Sequence, residues 1–450
     1  MVQAEQVNNA VESQFNQIAS VILAETKRGE HLALTLSGET SQFIRFNASR
    51  VRQTGVVEEI ALALDLIVEN RQACEVISLS GVLESDLNKV RRALVQLRSE
   101  VAQLPEDPYV VLPVGMNHSR SVQFADLPRP DHAADRLLPA MQGLNLSGIW
   151  ASGRNYRGHI NSAGSRHWFT TDSFSLDYSL LNTKEKMVKA VFSGTDWLQS
   201  SYEKSLQDSS AKLRMLQQPA IRIRPGHYRA YIASAGVADL LALFSWHGLS
   251  ECAMQTGESA FSRMRQNGEK LSPLFSLAED FRNGLVPRFN DRGEISPEHI
   301  DLIRAGELKH CLCSSRTARE FGVESNFAND SESLRLPVMS AGSLQEKEIL
   351  SALDTGVYLS NLHYLNWSDV AGGRITGMTR YACFWVEQGE IQGPIETMRF
   401  DDSFYRLFGS SLEAVSTESL INPNVGSYGG RELGMTQCPG ILLSSFRLTL

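Results

Sequence analysis

Soft ligands cluster once in this chain, in His310-Cys311-Leu312-Cys313, where a strand would set both thiols on one face at a spacing that can hold a metal ion. No fourth ligand stands nearby, so the same residues also read as a packed structural segment. His247 and Glu251 form a second pair, one helical turn apart and on one face if the segment is helical, which makes them a candidate metal-ligand pair. A third group interleaves cations with aromatic rings: Arg154, Tyr156, Arg157, His159, Arg166, His167 and Trp168, then Arg222, Arg224, His227, Tyr228 and Arg229. Within it Arg154, Arg157, Arg224 and His227 are the candidates for gripping a peptide carboxylate or a phosphate. A solvated strand face gives the same pattern. Nucleophilic serine chemistry lacks its signature, since there is no G-x-S-x-G and Ser259 in Gly257-Glu258-Ser259 lacks the second glycine. Neither a Walker loop nor a G-x-G-x-x-G is present, so nucleotide use is not indicated.

The elements that must position these groups follow from periodicity. Val7, Val11, Phe15, Ile18 and Ile22 recur at steps of three and four, predicting an N-terminal helix that ends near Lys27-Arg28-Gly29. Residues 31–37, 42–47, 58–68 and 73–80 alternate or are β-branched and predict an antiparallel sheet. Leu87, Val90, Leu94, Leu97, Val101 and Leu104 give a second helix, with Ser85 as N-cap and Pro105 as the stop. Further on, residues 148–181 read as strands, 197–217 as a polar-faced helix, and Arg224-Pro225-Gly226 as a hairpin. Residues 235–252 read as one buried helix. Beyond Gly356 the expected strands are 357–360, 379–387, 391–400 and 441–448.

The expected fold class is therefore α+β: an N-terminal helix-sheet-helix domain followed by a large, mainly antiparallel, barrel-like β domain with inserted helices. Pro108, Pro113, Pro128 and Pro130 mark an irregular connection. The expected units are 1–110, a connecting and middle β/α segment at 111–225, and the β-rich 226–450.

With 450 residues, 42% hydrophobic and 21% charged, the chain can bury two or three cores, and no apolar run reaches membrane-spanning length. The first residues lack a basic-then-apolar leader, and the six cysteines sit scattered in apolar contexts, as suits reduced thiols; both point to the cytoplasm. A net charge of −8 argues against direct nucleic-acid binding.

Several segments carry a family resemblance when taken in order. They are Gly257-Glu258-Ser259-Ala260-Phe261, Asn267-Gly268-Glu269-Lys270, Arg292-Gly293-Glu294, Gly356-Val357-Tyr358-Leu359-Ser360, Gly377, and Ala382 through Ile391 followed by Pro394-Ile395-Glu396. Together they resemble the TldD/PmbA family, once described as modulators of DNA gyrase, from about Pro225 to the end. Catalytic TldD-type members resemble zinc metallopeptidases with an H-E-x-x-x-H helix and a distant cysteine, a ligand set that holds zinc while the glutamate takes a proton from bound water.

The resemblance aligns that motif with Ala242, Leu243 and His247. The first imidazole and the carboxylate are thus replaced, and the family cysteine would fall near Ser427 and Gly429, with Cys438 too close to the last strand. What this implies is a PmbA-type, metal-free subunit with no catalytic residues of its own and no cofactor, zinc being expected only in a catalytic partner. Such a chain would form a homodimer, or a heterodimer with a TldD-type paralogue, around a peptide substrate. The alternatives are a self-sufficient metallopeptidase or hydrolase built around His247 and Glu251, or a non-enzymatic regulatory or binding protein.

Overall fold

The computed structural model describes residues 2–450, with side chains described from residue 10, so the expected buried position of Val7 lies outside the described residues. Seven strands form the first sheet: β1 Glu30–Asn47, β2 Arg50–Val68, β3 Arg71–Ser78, β4 His118–Gln123, β5 Leu146–Asn161, β6 Arg166–Leu181 and β7 Met187–Gly194. Their order is β3-β2-β1-β5-β6-β4, with β7 on the second half of β6. The helices before the second sheet are α1 Val2–Ala24, α2 Leu83–Val101, α3 Ala133–Met141 and α4 Gln199–Met215.

Strand alternation explains the packing. Leu32, Leu34 and Leu36 of β1 and Leu62, Leu64 and Leu66 of β2 all point to one face, where they bury against Phe15, Ile18 and Ile22 of α1 and Val90, Leu94 and Leu97 of α2. Farther along the sheet, Ile44, Phe46, Trp150, Phe174 and Tyr178 bury against α3 and α4. Because β5 pairs with β1 from Ala33 to Phe46, the first two of the three expected units share a single sheet.

Several local expectations are corrected. Segments 31–37 and 42–47 are one strand, because Gly38 to Ser41 keep their pairing with both β2 and β5. The N-cap of α2 is Val82, not Ser85; the Asp86 carboxylate collects the N–H groups of Ser80 and Gly81 at 2.8 and 3.0 Å and fixes the turn there instead.

Strands β8 Gly226–Ile232, β9 Leu277–Asp280, β10 His299–Arg304, β11 Glu307–Leu308, β12 Pro337–Met339, β13 Gly356–Asp369, β14 Arg374–Glu387, β15 Glu390–Pro394, β16 Arg399–Ser403, β17 Leu412–Pro423 and β18 Met435–Leu448 form the second sheet. Its path runs β18-β16-β14-β13-β8, and β8 pairs back onto β18, closing a barrel-like ring around Val357, Leu359, Ile375, Phe400, Leu443 and Phe446. No hairpin forms at Arg224-Pro225-Gly226: Ile221 bridges to Ile395, and β8 inserts between β13 and β18. Segment 391–400 is two strands, since β14 is long enough to pair with β15 at one end and β16 at the other. Gln388 and Gly389, both with positive φ, make the tight turn from β14 to β15. No described helix is long and apolar enough to cross a membrane.

The two sheets meet through loops of the second. Gln123 donates to the Gly284 carbonyl at 2.8 Å, His167 to that of Gly293 at 3.0 Å, and Arg431 to the Ser41 hydroxyl at 3.2 Å.

Candidate functional site

The segment that the resemblance aligns with a metal-binding helix is α5, Ser234–Ala242, which lies across β13 and β18 with Val237, Leu240 and Leu241 buried. It does not run on to Cys252 as expected. A single 3₁₀ turn at 243–245 follows, then a left-handed His247 (φ 58°), then α6, Glu251–Thr256, capped by Ser250. The break has tertiary causes. Phe244 is drawn into a cage of Phe261, Phe275, Phe404 and Phe408 rings, the Ser245 hydroxyl accepts Leu334 N–H at 3.0 Å, and the Trp246 carbonyl accepts the Trp367 indole at 2.7 Å. Gly248 is required because a Cβ there would overlap the Phe244 backbone.

The break separates His247 and Glu251. They do not share a helical face: the His247 side chain is exposed, while the Glu251 carboxylate is buried against Arg265 in a two-pronged pair at 2.6 and 2.7 Å. Ala242 is exposed and Leu243 is only 6% exposed, packed into the hydrophobic core. Among the described residues no three His, Cys, Asp or Glu side chains converge as metal ligands.

What α5 does present is a narrow accessible strip of Ala235, Ala238, Asp239 and Ala242, following the three-and-four spacing of one helical face. Asp239 accepts the Leu362 N–H at 3.2 Å, and burial raises its carboxyl to about 6 while Lys189 of β7 pulls the other way. Beside Leu362, His363 accepts a hydrogen bond from Arg380 at 2.8 Å and packs against Tyr364 and Tyr381 at 4.5 and 5.8 Å. Burial, then the Arg380 and Lys189 charges, hold this imidazole below its ordinary range. Tyr364 and Tyr381 both have positive φ, and β13 is bulged between His363 and Asn366. Arg380 and Tyr381 also line a cavity of about 330 Å³ together with Lys186, Met187 and Thr379. At the start of α5, Ser234 donates to the Cys438 carbonyl at 2.7 Å and accepts from Asn422 at 2.9 Å. Burial pushes the Cys438 thiol up to about 12, so it stays protonated and is a poor ligand or nucleophile as it stands.

Most of the other sequence candidates are held in buried hydrogen-bonded contacts. Arg154 is buried in a two-pronged pair with Asp172 at 2.6 and 2.7 Å. Arg157 donates to the Tyr156 carbonyl at 2.8 Å, and burial lowers its pKa. Exposed His227 lies on β8 of the other sheet and meets the Ser445 hydroxyl at 3.0 Å, and exposed Arg224 just precedes that strand, so the four expected substrate-binding cations form no common site. Buried His159 and His167 lie against the loop containing Gly293, and burial lowers the His159 imidazole to about 3. Cys311 and Cys313 are not on a strand, since only Leu312 makes a bridge; burial drives both thiols to about 12. Ser259 is fully buried and donates to the Gly248 carbonyl at 2.6 Å, bracing the His247 turn.

Sequence reasoning missed Asp239, His363 and Arg380. The one available signal was the position of Asp239, three residues before Ala242 on a helix. Nothing local points to His363, which a bulge aims. A second cavity, of about 310 Å³, was equally invisible: it lies between β6, β7 and residues 421–435, with Phe174, Phe192, Leu433 and the Arg431 guanidinium in its wall.

With this geometry in place, comparison places the chain among known proteins. Residues 225–450 match the family model for the PmbA/TldA metallopeptidase C-terminal domain. Three solved structures share the fold. One is a candidate modulator of a DNA gyrase from Thermotoga maritima, with TM-score 0.75, 13% identity, and 98% of this chain and 100% of that chain covered. TldE from Thermococcus kodakarensis gives 0.74, 14%, 97% and 100% on the same measures. A candidate modulator of DNA gyrase from Bacteroides thetaiotaomicron gives 0.76, 14%, 97% and 98%. No curated protein matches the chain in sequence.

Proposed function

The chain belongs to the PmbA/TldD family of peptidase-related proteins, and from that premise we propose that it is a metal-free subunit of a cytoplasmic, metallopeptidase-like dimer that encloses small or unfolded peptides. The observation that carries the reading is the fate of the motif helix. Where zinc chemistry needs an imidazole and a general base one residue apart, this chain has the methyl of Ala242 facing solvent and Leu243 filling the core, and the helix ends at Ala242, leaving Leu243 and His247 outside it. A carboxylate at position 243 would have to be buried among apolar side chains, at a cost that excludes an ionised base without rebuilding the core. In this reading zinc and peptide cleavage belong to a TldD-type paralogue, and the polar group Asp239, His363 and Arg380 forms part of the wall that a peptide meets. The fold likeness to TldE supports pairing of this kind.

The test is to purify the chain alone, measure bound zinc by elemental analysis and assay short unfolded peptides, then repeat the assay with a TldD-type paralogue. The expected result is sub-stoichiometric zinc, no cleavage alone, and cleavage with the paralogue. Stoichiometric zinc with chelator-sensitive cleavage by the chain alone would overturn the reading.

A further inference from the structure

The cavity of about 310 Å³ lies where β6 and β7 of the first sheet meet the end of β17, the connection 424–434 and the start of β18. Sites for small molecules run from about 300 to 1,000 Å³, so it has room for a short ligand. Strand alternation fixes which side of the second sheet it is on. Ile421 and Pro423 of β17 stand in its wall, whereas Asn422 between them donates to the Ser234 hydroxyl at the start of α5. The cavity is therefore on the opposite face of β17 from the motif helix.

Its polar end is Arg431, which is only 8% exposed. The guanidinium donates to the Ser41 hydroxyl at 3.2 Å and to the Ser173 carbonyl and hydroxyl at 3.0 and 2.7 Å, all neutral partners. Glu39 accepts the Arg431 backbone N–H at 3.0 Å instead, and Asp172 is held by Arg154, so among the described residues no carboxylate pairs with this buried cation. Of the five guanidinium N–H groups, the Nε–H and one on Nη1 have no partner among the described residues. Thr171, two residues before Ser173 and on the same face of β6, adds a second open group to the wall: its hydroxyl is buried without a hydrogen-bond partner. Leu285, Leu433 and Met435 supply apolar wall, and Glu432, the one carboxylate lining the cavity, is exposed and lies against Gly426. We propose that the cavity binds a small amphipathic carboxylate, with its oxygens on the Arg431 guanidinium and the Thr171 hydroxyl and its apolar body against Leu285, Leu433 and Met435. The C-terminal residue of an apolar peptide and a free short-chain fatty acid share this chemistry. The site goes beyond the functional reading, since it needs neither zinc nor a paralogue.

Isothermal titration calorimetry of the full chain with N-acetyl-leucine, N-acetyl-leucinamide and hexanoate tests this. N-acetyl-leucine should bind, and its amide should bind at least about 10-fold more weakly, because the charged hydrogen bonds are lost. Tighter binding of N-acetyl-leucine than of hexanoate names a peptide C-terminus as the source, and the reverse order names a free fatty acid. Arg431 also joins the two sheets, so the variants leave it in place. Thr171→Val removes a hydroxyl that has no partner in the fold, and should weaken binding about 3- to 10-fold without lowering the melting temperature. Ser193→Trp, which fills the cavity from β7, should abolish binding. Circular dichroism checks that both variants are folded. No binding of either acid at millimolar concentration overturns the inference. So does an amide bound as tightly as its acid, or an affinity that either variant leaves unchanged. None of these outcomes bears on zinc content or on cleavage with a paralogue, which test the functional reading by themselves.

Discussion

Asp239 accepts the backbone N–H of Leu362 at 3.2 Å, tying α5 to the bulged part of β13. The contact places a carboxylate on the motif helix three residues before Ala242, beside the strand that carries His363. A carboxylate there is costly to ionise, because burial outweighs both the hydrogen bond and the Lys189 charge. The group is thus poised to change charge near neutral pH, on the helix that packs against the strand carrying His363, whose imidazole pKa burial lowers.

Stability should register that proton. The folded-state pKa of Asp239 is raised from 3.8 to about 6, so the folded chain holds a proton that the unfolded chain releases. Its stabilising effect is complete below 3.8 and is lost as pH rises through 6. Asp239→Asn should therefore be more stable than wild type at pH 8, by up to ~2 kcal/mol, with little difference at pH 4. Urea denaturation at the two pH values measures this; equal differences at both would refute it.

Breaking the Arg154–Asp172 pair should be expensive. Asp172→Ala leaves the guanidinium buried without its carboxylate, and the expected loss is ~3 kcal/mol in urea unfolding. A loss under ~0.5 kcal/mol would show that the pair behaves as an exposed one.

Gly293 has φ 75°, and a Cβ there would overlap the His159 ring, so Gly293→Ala should cost ~2 kcal/mol or more and loosen the contact between the sheets. Hydrogen exchange at β5 and β6 should rise in the variant; unchanged protection would count against the packing described.

His247 is an exposed residue in a left-handed turn, a conformation that glycine adopts without steric cost. His247→Gly should be neutral or stabilising by up to ~1 kcal/mol, without altering zinc content. A destabilised variant, or one that loses a bound metal, would return His247 to the list of ligands.

Much of the architecture was legible in the residues. The alternation of Leu32, Leu34 and Leu36 against Leu62, Leu64 and Leu66, and the stripes of α1 and α2, specify a helix-sheet-helix layer, because burial of one face is decided by local periodicity. The ordered C-terminal segments identified the family, and the resemblance they carry is what aligns Ala242 and Leu243 with the motif's first imidazole and carboxylate. Long-range packing decided the rest. The break after Ala242 follows from a cage of phenylalanines contributed by residues up to 164 positions away, which outweighs the helical propensity of 235–252. His159 and His167, which read as surface cations, are buried because a loop more than a hundred residues later closes over them. Arg380 meets His363 because β13 and β14 are adjacent and β13 is bulged, and Asp239 meets the Leu362 N–H because α5 packs against β13, relationships of register and packing that no local pattern encodes.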